Sequence, residues 1–138
     1  MSSKPEVFEK TIQVKEEDID ELQHVNNVRY VQWMEDIAKV HWETRAPEET
    51  KRNYIWMVLR HEIDYKGQAF LKDELILQTF VGEHSHVKSH RHVIIRNKKS
   101  GKILIKAKST WCLLDSETKK PAKISEEMFS DFYVKDQD

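Results

Sequence analysis

Apolar residues recur at two different spacings along this chain, and the spacings predict its secondary structure. From residue 26 to about residue 45 they fall three or four positions apart, which is typical of one long amphipathic helix. Asn26 or Asn27 is suited to cap that helix, because its side-chain oxygen can accept from a free N–H one turn on. The apolar stripe comprises Tyr30, Trp33, Met34, Ile37, Ala38 and His41 or Trp42.

Alternation with a period of two, typical of strands, covers much of the remaining chain. Residues 7–14 predict a short first strand, and loops are predicted over residues 15–23 and 46–53. Four more strands are predicted, whose shared faces carry Ile55, Met57, Leu59, His61, Ile63 and Tyr65; Leu75, Leu77, Thr79 and Val81; Val87, Ser89, Arg91, Val93 and Ile95; and Ile103, Ile105, Ala107, Ser109, Trp111 and Leu113. Residues 97–101 predict a hairpin turn between the last two.

The predicted helix has no second helix of comparable length beside it, so its stripe must pack on a sheet made from these strands. The predicted fold class is α+β, with an antiparallel five-stranded sheet wrapped around one long central helix. A length of 138 residues favours a single domain over residues 1–138. The charged ends, residues 2–6 and 135–138, are expected to fray.

The composition restricts the classes of partner and the cellular location that we expect for this protein. With 23 Lys+Arg against 24 Asp+Glu there is no global basic field, so nucleic acid is not an expected partner. A hydrophobic content of 38% is lean for this size, which favours a homodimer or homotetramer. The single cysteine, Cys112, fits a structural role in a reducing compartment. No signal-like or membrane-spanning apolar run occurs, so we expect a cytoplasmic location and no membrane partner.

The densest chemistry lies directly before the helix, where Asp18, Asp20, His24, Asn26 and Asn27 occur within ten positions. A helix N-terminus offers free N–H groups and a partial positive charge. A carboxylate, an imidazole and an anion site together are the groups that acyl transfer requires. Acids before a helix also complement its charge, and that structural role is our interpretation of Asp18. For His24 a hydrogen-bonded structural role at the loop–helix junction stays an equal alternative.

The layout, together with the pattern Asp-x-Asp-x-x-x-His-Val-Asn-Asn-x-x-Tyr over residues 18–30, resembles the hotdog-fold thioesterases. The similar groups are the 4-hydroxybenzoyl-CoA thioesterase-like family and the plant acyl-acyl-carrier-protein thioesterases. Residues 60–74 and 111–124 look like later signatures of that family. The resemblance implies paired protomer sheets, active sites at the protomer interface near the helix start, and hydrolysis of an acyl thioester of CoA or of acyl carrier protein, without a cofactor.

By position, the resemblance implies three catalytic roles. Asp20 matches the nucleophile or general base of the CoA-thioesterase group, and His24 matches the histidine of the plant group. Asn27 stands where a backbone amide polarises the thioester carbonyl. Leu22 replaces an Asn of the plant enzymes, which favours chemistry centred on Asp20 and leaves a non-catalytic acyl-thioester binding module as the alternative. A hotdog dehydratase is disfavoured, since its different Asp/His arrangement is not seen.

Substrate contacts are predicted at four further residues. Tyr30 and Met34 of the helix, with Met57 from the facing strand, are expected to line an acyl pocket, although core packing alone is the alternative. Lys88 lies among alternating histidines at 84, 86, 90 and 92, and its charge argues against a metal site there. We expect a solvated outer face, with contact of Lys88 or Arg91 to CoA phosphates as the second possibility.

Overall fold

A computed structural model describes residues 3–135, and its main feature is a five-stranded antiparallel sheet that packs on one long helix. In chain order the elements are β1 (Ser3–Pro5), β2 (Phe8–Gln13), α1 (Asn27–Arg45), α2 (Glu48–Asn53), β3 (Tyr54–Tyr65), β4 (Glu74–Ser85), β5 (Lys88–Asn97), β6 (Ile103–Asp115) and β7 (Tyr133–Lys135). Two 3₁₀ helices cover Glu16–Asp18 and Glu126–Phe132. Across the large sheet the order is β2-β4-β5-β6-β3, so the predicted α+β class and five-stranded sheet are confirmed.

Helix α1 forms where the apolar stripe predicts it. The side chain of Asn26 caps its first turn by accepting from Val28 N–H at 3.0 Å. The buried side of the helix presents Tyr30, Met34, Ile37, Ala38, His41 and Trp42, as the spacing predicts. This face covers the sheet, whose inward positions on β4 and β5 are buried as expected: Leu75, Leu77, Thr79, Val81, Ser89, Arg91, Val93 and Ile95.

The predicted shared face of β3 is wrong. A register shift in the pairing with β6 falls between Val58 and Arg60, so one extra residue reverses the alternation. Before the bulge Ile55, Met57 and Leu59 are exposed. After it, the odd-numbered residues His61 and Ile63 turn inward. Periodicity alone cannot reveal a bulge, because each half of the strand alternates normally.

The expectation that both ends fray is wrong for the part of them that the structure describes. Ser3–Pro5 pairs antiparallel with Tyr133–Lys135, and the two form a separate two-stranded sheet. Glu6 forms a bidentate ion pair with Arg45 of helix α1. Residue 2 and residues 136–138 lie outside the described residues.

Two helical segments were not predicted. Residues 48–53, expected as a loop, form α2. The 3₁₀ helix Glu126–Phe132 buries Met128, Phe129 and Phe132 against Trp42 and Leu113, which closes the second of two core clusters. No helix in the described part of the chain is both long and apolar enough to cross a membrane.

The alternating histidines do not share one strand. His84 lies near the end of β4, and His86 lies in the β4–β5 turn with a φ of 53°. Only Lys88, His90 and His92 alternate along β5. Among residues 3–135 no group of three or more His, Cys, Asp or Glu side chains is placed to hold a metal. Cys112 is buried on β6, as its predicted structural role requires.

Candidate active site

The loop that precedes α1 folds back on itself and brings an acid beside a histidine. Asp20 N–H donates to His24 O at 3.1 Å, and Gln23, with a φ of 70°, provides the left-handed residue that closes the turn. The Asp20 Oδ1 and His24 Nδ1 atoms lie 4.0 Å apart. The two side chains, predicted from a spacing of four residues, therefore lie together at the start of the helix.

The Asp20 carboxylate is only partly engaged. Its Oδ1 atom accepts from Leu22 N–H at 2.9 Å, and no donor to Oδ2 is found among residues 3–135. The side chains of Asp20 and His24 are 24% and 23% exposed, so solvent and a ligand can reach both. A carboxylate with one oxygen held and the other free is oriented and still able to take a proton or attack a carbon.

Asp18 contrasts with Asp20 in every contact. It is buried, its Oδ1 atom accepts from Arg29 Nε at 2.7 Å, and its Oδ2 atom accepts from Lys15 N–H at 2.8 Å. Its backbone carbonyl also accepts from Asn26 N–H at 3.0 Å, which fixes the helix entry. The structural interpretation of Asp18 is confirmed.

The first N–H of α1 belongs to Asn27 and has no acceptor among the described residues. The cap of Asn26 serves the next N–H, that of Val28. A free donor at the positive end of a helix is an anion site that needs no rearrangement. It lies seven residues after Asp20, on the same fold-back loop.

Exposed apolar side chains surround this loop. Leu22 is exposed within it, Val28 is exposed in the first turn of α1, and Phe70 and Leu71 are exposed on the segment that follows β3. The two segments are joined, because Val25 N–H donates to Ala69 O at 2.9 Å. Contiguous exposed apolar surface beside polar groups is typical of a binding surface.

A separate cleft of about 210 Å³ lies under the second half of α1. Its apolar walls are Ala38, Trp42, Tyr54, Ile55, Trp56 and Phe129. Its polar lining consists of Lys39, Glu43, Lys51, Ser89, Arg91 and Trp111. Neither this cleft nor a second one around Asp18 and Arg29 is lined by Asp20, so the described chain leaves the Asp20 loop open on its outer side.

The three residues predicted to line an acyl pocket do not line this cleft. Tyr30 and Met34 are buried in the core cluster under the first half of α1, where Tyr30 Oη accepts from Ala69 N–H at 3.1 Å. Burial raises the pKa of the Tyr30 hydroxyl. Met57 is 45% exposed and lies on the outward side of β3, because the bulge comes after it.

Lys88 is exposed at the first position of β5. The nine residues from there to Asn97 span about 30 Å of strand. Asn97 pairs with Leu75, close to the Ala69 segment that contacts the Asp20 loop, so Lys88 lies toward the opposite end of the sheet in the same protomer. Arg91, the other residue considered for phosphate contact, is buried and faces inward, so it does not lie on the outer face of the sheet with Lys88.

A buried polar chain under α1 was not anticipated. Glu6 Oε1 accepts from His41 Nε2 at 2.9 Å, and His41 Nδ1 accepts from Arg91 Nη1 at 2.9 Å. Arg91 Nη1 also donates to Thr79 Oγ1 at 3.1 Å. Burial lowers the pKa of His41 to about 4, so the ring is neutral and can accept at Nδ1 while it donates at Nε2.

The only sequence signal for these buried hydrogen bonds was a histidine and an arginine at inward positions of otherwise apolar patterns. A second pair of contacts has the same signal: His61 Nδ1 lies 2.6 Å from Ser109 Oγ, and His61 Nε2 lies 3.0 Å from Glu35 Oε2. The carboxylate of Glu35 can only accept, so His61 Nε2 donates to it. These bonds fasten α1 to β3 and β6.

Known proteins match nearly all of this chain. Residues 5–132 match the family acyl-ACP thioesterase N-terminal domain. A curated relative, the chloroplastic acyl-acyl-carrier-protein hydrolase FATB3 of Cuphea viscosissima, is 32% identical over 84 residues, which is 61% of this chain and 20% of that protein. The chain therefore matches only about a fifth of the length of this relative.

Solved structures share the fold. The probable thioesterase YbaW of Escherichia coli superposes with a TM-score of 0.76 at 23% identity, over 89% of this chain and 94% of that one. The protein SAV2348 of Staphylococcus aureus, solved in complex with CoA, superposes with a TM-score of 0.81 at 15% identity, over 92% of this chain and 82% of that one. The chain has the hotdog fold that the sequence predicts.

Proposed function

The chain belongs to the acyl-ACP thioesterase family, and from that membership we propose that it hydrolyses an acyl thioester with Asp20 as the catalytic carboxylate. One observation carries the proposal: the half-free carboxylate of Asp20 lies on the fold-back loop that ends at the unpaired N–H of Asn27. The two groups supply a base or nucleophile and an oxyanion donor at one place.

The chemistry follows from these two groups. Attack on the thioester carbonyl places negative charge on its oxygen, and the Asn27 N–H stabilises that charge by about 3 kcal/mol, as is usual for one such donor. Asp20 either removes a proton from the attacking water or attacks the carbon itself. In the second case the thiolate leaves, and water then hydrolyses the mixed anhydride. His24, 4.0 Å from Asp20, orients the carboxylate or the water.

The carrier is CoA or acyl carrier protein. The Cuphea relative is named as an acyl-acyl-carrier-protein hydrolase, whereas the Staphylococcus structure was solved with CoA. Both carriers present the acyl group on a thiol, so the same two groups serve either. Lys88 remains our candidate for a contact with carrier phosphates.

We also propose that the enzyme is a homodimer joined through β3. This strand of 12 residues is at the edge of the sheet, and its exposed apolar side chains Ile55, Met57 and Leu59 favour pairing with a second copy. Antiparallel pairing of two β3 strands would place the Lys88 end of one protomer beside the Asp20 end of the other. A second protomer would then supply the missing wall of the site.

The dimer can be tested by sedimentation velocity. Changing Met57 and Leu59 together to lysine should give a monomer at concentrations where the wild type is dimeric. The control is Val7→Lys, which adds a charge at a similarly exposed valine away from β3. A double variant that sediments as the wild type does would refute pairing through β3.

The catalytic proposal is tested with a panel of acyl-CoA and acyl-acyl-carrier-protein substrates, followed by release of free thiol. Asp20→Ala should lower kcat/KM by about 10²- to 10⁴-fold. Glu21→Gln is the matched control, because it removes an exposed carboxylate one residue away and should keep the wild-type rate. Turnover of no substrate, or an Asp20→Ala variant as fast as the wild type, would refute the proposal.

A second candidate is a non-catalytic acyl-thioester binding module. It is favoured by Leu22, an exposed residue at the position where the similar plant enzymes have Asn. The Leu22 N–H also donates to one of the two Asp20 oxygens. Such a module would be stabilised thermally by non-hydrolysable acyl-CoA analogues and release no thiol from any member of the panel.

A further inference from the structure

Arg91 is a buried cation without a carboxylate partner among residues 3–135. It is 7% exposed, and its bonded partners, His41 Nδ1 and Thr79 Oγ1, are both uncharged acceptors. Burying an uncompensated guanidinium is costly. Arg91 also lines the cleft under α1, so an anion that entered the cleft would offset that cost.

The unpaired part of the guanidinium has the shape that carboxylates fit. Both bonds to protein acceptors use Nη1, and no acceptor for Nε or Nη2 is found in the described chain. These two nitrogens form the fork that binds the two oxygens of a carboxylate. Arg45 shows the arrangement in this same protein: its Nε and Nη2 each lie 2.9 Å from the oxygens of Glu6.

The other polar groups of the cleft are mainly donors. Trp111 Nε1 is fully buried and has no hydrogen-bond partner among the described residues, although its ring lines the cleft. Ser89 is buried on the same wall as Arg91. Lys51 is paired with Glu48 at 2.9 Å and with Glu43 at 3.7 Å, whereas no carboxylate partner of Lys39 is found among residues 3–135, so Lys39 and Arg91 leave the cleft with a positive field. A buried N–H beside a cleft is a donor that a water molecule or a ligand oxygen can satisfy.

We propose that this cleft binds a carboxylate at the end of a short hydrocarbon chain, with Arg91 and Trp111 holding the carboxylate and aromatic walls holding the carbons. The walls include Trp42, Trp56 and Phe129. A volume of about 210 Å³ is small for a ligand pocket, for which about 300 Å³ is the usual lower bound, so the chain is short.

Two sources could supply such a carboxylate. One is a free fatty acid, the product of thioester hydrolysis. The other is the far end of an acyl group that carries a terminal carboxylate, which would make the enzyme selective for thioesters of dicarboxylic acids. The second source rests on the proposed function and on the β3 dimer, in which the cleft end of β3 in one protomer lies beside the Asp20 loop of its partner.

Binding is tested directly, without turnover, using hexanoate as the probe and hexan-1-ol as its uncharged control. The four tryptophans give four indole N–H signals in nitrogen-15 NMR spectra, and Trp111→Phe assigns one of them. Hexanoate should shift the Trp111 signal downfield, whereas hexan-1-ol should not. Absence of a shift at millimolar hexanoate, or equal shifts with the two probes, would overturn the proposal.

Calorimetric titration of hexanoate then tests the two donors. Arg91→Met should weaken binding at least tenfold, since it removes charge-assisted hydrogen bonds. Arg96→Met is the control, because it removes a charge from the outward side of the same strand. Trp111→Phe keeps an aromatic wall and should weaken binding about threefold to tenfold, which preserves a test if Arg91→Met fails to fold. Wild-type affinity in both folded variants would overturn the assignment.

Turnover separates the two sources. If the acyl group supplies the carboxylate, adipoyl-CoA should be hydrolysed at least tenfold more efficiently than hexanoyl-CoA, and Arg91→Met should abolish that preference. If the product supplies it, the two rates should be similar and hexanoate should inhibit in an Arg91-dependent manner. Hexanoate binding with no turnover of any thioester would keep this inference and refute the hydrolase proposal.

Discussion

Titratable groups lie in opposite environments at the two ends of helix α1. At its start Asp20 and His24 are about a quarter exposed, lie 4.0 Å apart, and make few bonds to the protein. In its second half His41 is fully buried, and it joins Glu6 to Arg91 in a continuous hydrogen-bonded chain. The exposed groups are therefore free to do chemistry, whereas the buried ones hold the helix on the sheet and shape the cleft beside it.

The largest effect is expected from removing the buried ring nitrogens of His41. His41→Phe keeps the aromatic contacts with Phe8 and Phe132 but removes one hydrogen-bond partner from Arg91, which keeps Thr79, and one from Glu6, which keeps Arg45. We expect a loss of about 3 kcal/mol in the free energy of unfolding, measured with urea. His90→Phe, on the outward side of β5, is the control. A loss below about 1 kcal/mol would show that the buried chain does not stabilise the fold.

Acid should destabilise the fold through the buried His41 in the second half of α1. The folded-state pKa of His41, about 4, is below its usual 6.5, so protons favour the unfolded chain. Stability is therefore complete above pH 6.5 and falls by about 3 kcal/mol as the pH drops from 6.5 to 4. The pKa of Glu6 is also lowered, chiefly by Arg45, and adds to the loss at the acid end.

Urea unfolding at several pH values checks this slope. His41→Phe should flatten it over the same range and leave only the part that carboxylates contribute. A wild-type profile that stays level between pH 6.5 and 4 would contradict a neutral, buried His41.

The smallest effects are expected at the helix start, where they distinguish the side-chain cap of Asn26 from the backbone donor of Asn27. Asn26→Ala removes the cap on Val28 N–H and should cost about 1 kcal/mol of stability. Asn27→Ala leaves the proposed oxyanion donor in place, because that donor is a backbone N–H, and should change kcat/KM less than twofold. Thermal melts and thiol release measure both; a hundredfold loss in Asn27→Ala would assign the role to its side chain instead.

Local patterns predicted the elements better than they predicted the inner surfaces. The stripe of α1, the strands and the turn at residues 97–101 depend on short-range spacing and emerge as expected. The pairing of Asp20 with His24 also follows from nearby residues. Arg91 and His41 lie 50 positions apart in the sequence, and only the packed sheet brings them within 2.9 Å. A polar residue on an inward face was the sole local sign of that contact.

The extra residue near position 59 reverses, within a single strand, which residue numbers face inward. Before it, the odd-numbered side chains of β3 point outward and form an exposed apolar edge. After it, the odd-numbered side chains point inward, and one of them, His61, contacts Glu35 of the helix. The edge strand β3 therefore offers an apolar surface for a partner along its first half and packs against the core along its second half. Deleting that residue would let Arg60 follow Val58 directly, as their partners Thr110 and Trp111 already follow each other, so the strand would lose its bulge and His61 would still face inward.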